Sequence, residues 1–231
     1  MTAEIKAPGG MAAGVRFFAG KKEQKNIMVK DYSELNEEHK DILLELGNIG
    51  TGNALTALAQ LTDHPIRMEL PAIKIVSIQH LSTILDQGSD ENAGVAIKVE
   101  GNLECVVTFM LNEHFTKMMV AELTGEDLED IHGMNEMQQS AICELGNIMC
   151  NSYLNALAAM LTLSLDVSVP VLACGSSEEI FDTFSKDYRD EQPEVLFIEN
   201  TFSYSEQEVV SHILLQPKFE SIQEILGRLE D

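Results

Sequence analysis

Two long segments, residues 34–62 and 135–163, carry apolar side chains on most sides of a helical wheel. In the first segment Leu46 and Ile49 fall within about 40° of Ile42, since an α-helix turns roughly 100° per residue, and further leucines cover the flanks. A helix that is apolar on so many sides is mostly buried. The pattern therefore predicts two long buried helices, each with one narrow polar strip.

The polar strips of the two predicted helices have the same spacing and share a Glu and an Asn. They hold Asp41, Glu45, Asn48 and Gly52 in the first helix, and Ser140, Glu144, Asn147 and Asn151 in the second. Each position of the second strip follows its counterpart by 99 residues, and Pro71 or Pro170 follows the Asn after 22 intervening residues. A gap-free match of this length indicates an internal duplication.

Glycines surround the first strip. A polar strip on a helix is most often a solvated face, but this one is narrow, recurs, and contains Gly47, Gly50 and Gly52. Each costs a helix up to about 1 kcal/mol relative to Ala. Because glycine permits close approach of another backbone, the pattern favours either tight helix–sheet packing or a docked partner.

The rest of each half is predicted to form strands, a hairpin and shorter helices. Apolar runs rich in β-branched residues and separated by turn residues predict strands, and Asn112 and Asn135 are predicted helix N-caps, with Ser33 or Asn36 as candidates for the first helix. The predicted strands are 66–69, 72–79, 93–99, 103–111, 165–169, 170–174, 193–201 and 206–215, with shorter helices at 80–86, 112–123, 178–184 and 218–229, the last opened by Pro217.

This order predicts an α+β fold with a pseudo-twofold internal duplication. We expect a mixed, largely antiparallel sheet with the two long helices on one face. Residues 31–231 are predicted to form a single domain, with repeat 1 at about 34–124, repeat 2 at about 134–229 and an acidic linker between them. Residues 1–30 hold six of the 15 basic residues and show no periodicity, which predicts a disordered N-terminal extension.

Composition narrows the classes of function. The net charge of −23 disfavours nucleic acid and anionic membranes as partners. No apolar run approaches the roughly 20 residues that span a bilayer, so no membrane insertion is expected. The four cysteines form no Cys-x2-Cys pair, which indicates buried thiols in a reducing compartment and neither a disulfide framework nor a zinc site. A cytoplasmic location is the default expectation.

The spacing [Asp/Ser]-x3-Glu-x2-Asn-x22-Pro, present twice, resembles the signature of the CheC-type phosphatases of bacterial chemotaxis, the group that includes CheC, FliY and CheX. The resemblance covers about residues 31–231. It implies dephosphorylation of the response regulator CheY in its aspartyl-phosphate form, with Mg²⁺ carried by CheY and no cofactor of this chain's own. Carried over by residue, the catalytic pairs are Glu45 with Asn48 and Glu144 with Asn147, Asp41 and Ser140 contact the partner, and both prolines are structural.

The chemistry suits these residue types. Hydrolysis of an acyl phosphate chiefly requires a water held in line with phosphorus. An Asn carboxamide can both accept from and donate to that water, and a Glu can pair with a cation on the partner.

Two readings of the sequence remain open. Two intact pairs on a chain that ends after its second repeat favour a CheC-like phosphatase, for which the resemblance also implies CheD as a partner. The alternative is a weakly catalytic or non-catalytic adaptor for CheD or a response regulator, or a flagellar-switch component of the FliY or FliM type.

Overall fold

Both halves of the chain fold in the same order: a long helix, two short strands, a short helix and a hairpin. The computed structural model describes residues 37–62, 67–68, 72–85, 91–185, 194–204, 206–218, 220–221 and 225. The first half consists of α1 (Glu37–Thr62), β1 (Arg67–Met68), β2 (Ala72–Ser77), α2 (Ile78–Leu85), β3 (Asn92–Gly101), β4 (Cys105–Asn112) and α3 (Glu113–Thr124). The second half consists of α4 (Glu136–Leu161), β5 (Leu165–Val167), β6 (Val171–Gly175), α5 (Ser177–Ser185), β7 (Glu194–Tyr204) and β8 (Gln207–Pro217).

Side-chain caps begin two of the helices where the sequence predicts them. The side chain of Asn112 accepts a hydrogen bond from the backbone N–H of Phe115 at 2.8 Å. Asn135 and Gln138 form a reciprocal capping box at the start of α4. At the other end of α3, Gly125 adopts a left-handed conformation with φ of 73°, which glycine adopts without strain.

Three details of the local prediction are wrong. Pro217 does not open a helix but is the last residue of β8, because the pairing of β8 with β4 continues as far as Cys105 opposite Pro217. Strand β2 ends at Ser77, and α2 begins at Ile78 instead of residue 80. The predicted linker contains a 3-10 turn, Ile131–Gly133, because buried Ile131 ties it to the core.

Some predictions fall outside the described residues. These are the disordered extension at 1–30, the caps Ser33 and Asn36, and most of the C-terminal helix predicted at 218–229. Within that last segment residues 220, 221 and 225 are helical.

The sheet interlocks the two halves. Its eight strands run in the order β1-β7-β8-β4-β3-β5, with β2 also paired to β7 and β6 also paired to β3. The short strands of each half therefore hydrogen-bond to the hairpin of the other half, and β4 and β8 join the two hairpins at the centre. Every pairing among the described residues is antiparallel, which confirms the predicted largely antiparallel sheet.

The sheet is covered on both faces. Successive side chains of a strand point to opposite faces, and on β4 Phe109 joins one core while Met110 joins the other. The larger core includes buried side chains of α1, α3 and α4, and the smaller includes those of α2 and α5. The prediction that both long helices share one face is confirmed, and the short helices cover the opposite face. None of the helices in the described part of the chain is long and apolar enough to cross a membrane.

Because strands are exchanged between the halves, we propose that residues 31–231 form a single domain with repeats at about 34–124 and 134–229. A fragment comprising residues 31–124 should then fail to fold, since β2 would lose β7 and β3 would lose both β5 and β6. Urea titration followed by circular dichroism should give one cooperative transition for residues 31–231 and none for the fragment. A cooperative transition in the fragment would contradict the single-domain proposal.

Gly146 of α4 lies directly against β3. A Cβ added there would lie 2.3 Å from Cβ of Val95, whereas a Cβ added to Gly52 of α1 would meet no atom within 4 Å. We expect Gly146→Ala to lower the free energy of unfolding, because overpacking costs about 1–3 kcal/mol. The matched Gly52→Ala should raise it by up to about 1 kcal/mol through helix propensity. Urea unfolding of both variants checks this, and shifts of the same sign would contradict the packing described.

Candidate active site

The two predicted polar strips lie on α1 and α4, which pack against each other within the larger core. A Cβ added to Gly50 of α1 would lie 2.3 Å from Cδ2 of Tyr153 on α4. Tyr153 is fully buried, so its ring cannot easily move aside. The close contact of α1 with α4 therefore depends on glycine at position 50. This is packing of helix against helix, whereas the sequence-based alternative was packing of a helix against the sheet.

Contact between Gly146 and Val95 sets the rotation of α4 about its axis. Counting roughly 100° per residue from Gly146, Glu144 lies about 160° away, almost opposite the sheet, and Asn147 lies about 100° away, on the flank. Glu144 should then be exposed and Asn147 partly covered. The structure has Glu144 exposed and Asn147 half-buried.

The first copy presents its side chains in the same way. Glu45 is exposed, Asn48 is half-buried, and Leu46 and Gly47 between them are buried. The first site (Glu45 and Asn48) and the second site (Glu144 and Asn147) thus each combine an exposed carboxylate with a half-buried carboxamide three residues later, which lies on the same side of the helix. Both glutamates face solvent, whereas each Asn is half-buried and Oδ1 of Asn48 is itself buried.

Asp41 and Ser140, the predicted partner contacts, are both exposed one turn before their respective glutamates. They extend each site along its helix. The solvent-exposed face of α1 is wider than the predicted polar strip, since Asn53, Thr56 and Gln60 are exposed as well. The predicted exposed face was too narrow because the prediction used the apolar positions alone, and these do not show which flank of the helix the sheet leaves uncovered.

Neither glutamate of the two sites forms an ion pair or hydrogen bond with another described residue. The lysines in described ion pairs, Lys117 and Lys218, bind Glu113 and Glu104 elsewhere. An exposed carboxylate without an internal cation is available to a cation supplied from outside the chain.

The carboxamides of the two sites differ in their hydrogen bonds. Nδ2 of Asn151 donates to Oδ1 of Asn147 at 2.7 Å and to the backbone carbonyl of Asn147 at 2.9 Å. At the equivalent position of α1 stands Gly52, which has no side chain, and the buried Oδ1 of Asn48 has no hydrogen-bond partner among the described residues. The sequence held the signal for this difference, Gly52 against Asn151 at the common offset of 99 residues, but it did not indicate a role.

Thiol nucleophiles are disfavoured in this protein. Burial raises the pKa of Cys150 to about 12 and that of Cys174 to about 11, and it raises the pKa of Cys105 and Cys143 as well. The thiolate is the reactive form, so burial disfavours the nucleophilic form of all four cysteines.

Metal-ligating side chains do not cluster within the described ranges. No group of three or more His, Cys, Asp or Glu side chains there could hold a metal ion. Of the two motif prolines, Pro170 lies between β5 and β6, directly before β6 begins. Pro71 lies outside the described residues, immediately before β2.

Comparison with protein families gives a match to the CheC-like family over residues 38–75 and 137–173. These two ranges begin 99 residues apart and contain all six predicted site residues and both prolines. A curated relative, the CheY-P phosphatase CheC of Bacillus subtilis, is 30% identical over 203 residues, covering 86% of this chain and 97% of the relative.

Solved structures with the same fold include proteins with different names. The structure of FliY from Thermotoga maritima matches with a TM-score of 0.65 at 18% identity, covering 85% of this chain and 98% of that one. The FliM middle domain from H. pylori matches with a TM-score of 0.61 at 8% identity, covering 84% and 99%. At these identities the likeness concerns the fold alone.

The duplicated strips fall inside both family-matched ranges, and the bacterial relative aligns along nearly its whole length. On these grounds the chain belongs to the CheC-like family.

Proposed function

We propose that this protein is a phosphatase that hydrolyses the aspartyl phosphate of a CheY-type response regulator. One observation carries the proposal: the same arrangement, an exposed Glu and a half-buried Asn on a helix anchored in the core, occurs twice. The relative of 30% identity is itself named a CheY-P phosphatase, which supports the choice of substrate.

In this mechanism Asn48 and Asn147 orient the attacking water. An acyl phosphate is already an activated electrophile, so holding water in line with phosphorus supplies most of what its hydrolysis requires. A carboxamide suits this task because it can accept from and donate to water without becoming charged. The half-buried position of each Asn limits its motion, which favours a defined water geometry.

Glu45 and Glu144 anchor the response regulator. Each carboxylate is exposed and free of ion pairs with described residues, so it can bind a Lys or Arg of the partner and place the phosphate over the neighbouring Asn. Asp41 and Ser140 extend the contact by one turn. We assign the Mg²⁺ to the phosphorylated regulator and no cofactor to this chain, which has no suitable ligand cluster among its described residues.

A second candidate is a binding module with little or no catalysis. The fold is shared with FliY and with the FliM middle domain, and one fold can carry several functions. The two intact Glu/Asn pairs favour the phosphatase, since docking alone does not require a water-orienting carboxamide. CheD as a second partner and a cytoplasmic location stay predictions from the sequence.

The two asparagines should be essential to turnover. We expect Asn48→Ala combined with Asn147→Ala to lower phosphate release from phosphorylated CheY by roughly 100-fold, comparable to removing one positioned amide from an active site, while each single variant keeps part of the activity. Asn155→Ala, an exposed Asn on α4, is the matched control and should turn over normally. Undiminished turnover by the folded double variant would favour the binding module.

The two glutamates should act on binding more than on the chemical step. Glu45→Gln combined with Glu144→Gln should raise KM by about tenfold, the effect of losing roughly 1.4 kcal/mol of charge-assisted contact, with little change in kcat. Steady-state kinetics at two salt concentrations measures this, because exposed ion pairs weaken with salt. Glu178→Gln, on α5 across the sheet, is the control. A fall in kcat at constant KM would reassign the glutamates to the chemical step.

A further inference from the structure

The two sites differ at the position four residues after the catalytic asparagine. This position is Gly52 in the first site and Asn151 in the second. It lies outside the recurring Asp/Ser, Glu, Asn and Pro pattern, so the pattern assigns it no role. Four residues along a helix is one turn, so a side chain here can reach the asparagine before it.

Among the described residues, the amide nitrogen of Asn151 donates only to Asn147. One bond from its Nδ2 reaches Oδ1 of Asn147 at 2.7 Å, and another reaches the backbone carbonyl of Asn147 at 2.9 Å. An amide nitrogen has two hydrogens, so both are engaged. The backbone carbonyl of Asn147 is part of the helix and is therefore fixed. Its hydrogen bond holds the amide of Asn151 in place, and the held amide in turn fixes Oδ1 of Asn147.

This contact decides the orientation of the Asn147 carboxamide. The terminal torsion of Asn is broad and roughly twofold, so a free side chain exchanges the places of its oxygen and nitrogen. With Oδ1 held by Asn151, the amide N–H groups of Asn147 and the second lone pair of Oδ1 remain for a water. The carboxamide is then preorganised before any partner arrives.

The first site lacks this contact. Gly52 offers no donor, and Oδ1 of Asn48 is buried without a hydrogen-bond partner among the described residues. A buried acceptor without a donor is unfavourable, so this orientation of Asn48 is held less firmly. The difference is local, since the exposure of Glu and Asn is otherwise the same in both sites.

We propose that Asn151 is a positioning residue for the second site, which holds the Asn147 carboxamide in the orientation that aligns the attacking water. This inference rests on the proposed phosphatase function and adds a residue outside the family spacing. It also explains how two sites with identical Glu/Asn pairs differ in preorganisation. The same device can be transferred to the first site, because a Cβ at position 52 would meet no atom within 4 Å.

The test isolates each site in turn. In an Asn48→Ala background only the second site remains, and we compare Asn151→Ala, Asn151→Asp and the control Asn155→Ala. Aspartate has nearly the shape of asparagine but no donor. With phosphorylated CheY and Mg²⁺ as substrate, both Asn151 variants should lower kcat by about threefold to tenfold, the worth of one hydrogen bond, with KM unchanged. Asn155→Ala should change neither.

A purely structural role predicts a different result. Alanine is a better helix former than asparagine, so a structural Asn151 could be replaced by Ala without loss of kcat and with an equal or higher melting temperature. The positioning role predicts a lower kcat even where the melting temperature does not fall.

The reciprocal variant supplies a gain of function. In an Asn147→Ala background only the first site remains, and Gly52→Asn should raise its kcat by about threefold to tenfold because it supplies the missing donor. Unchanged or increased kcat in both Asn151 variants, while wild type is active, would overturn the positioning role alone. Absence of phosphatase activity in the wild type would overturn the proposed function and this inference together.

Discussion

Close contact between α4 and the sheet at Gly146 is the constraint on which the second site depends. Gly146 lies between Glu144 and Asn147 in the sequence, and its Cα packs against the side chain of Val95. A helix held at this point cannot rotate about its axis, so the glutamate must face away from the sheet and the asparagine must lie on the flank. The exposure of the site therefore follows from the packing of the residue inside it. A side chain at position 146 would push the helix from β3 and tilt both functional groups together.

The strand exchange gives that constraint a rigid base. Strands β5 and β6 follow α4 in the chain, yet they pair with β3, the strand that carries Val95. The helix and the surface beneath it thus come from different repeats and are tied together by hydrogen bonds as well as by apolar contact. A duplicated chain of this kind positions each site with residues of both copies, which is a reason to treat it as one unit.

Duplication has kept the two sites alike in exposure but not in hydrogen bonding. Oδ1 of Asn147 accepts a hydrogen bond from Asn151, whereas Oδ1 of Asn48, with Gly52 at the equivalent position, has no hydrogen-bond donor among the described residues. Because catalysis by positioning is sensitive to the orientation of a single amide, two sites with the same Glu/Asn pair can differ in the preorganisation of the Asn carboxamide. The shared fold with FliY and the FliM middle domain carries no information at this level, since fold and site chemistry vary independently.

Features that depend on neighbours along the chain could be predicted from the amino-acid order. Helical periodicity predicted α1 and α4, Asn112 and Asn135 were recognised as caps, and the common spacing of 99 residues located both Glu/Asn pairs. These features depend on backbone geometry and on contacts within one or two turns. Three features became visible only in the folded chain: the exchange of short strands between repeats, the position of Pro217 in β8, and the covering of the second sheet face by α2 and α5. The reason is that strand partners and helix rotation are chosen by apolar contacts between residues far apart in sequence, as at Gly146 and Val95, and no local pattern encodes them.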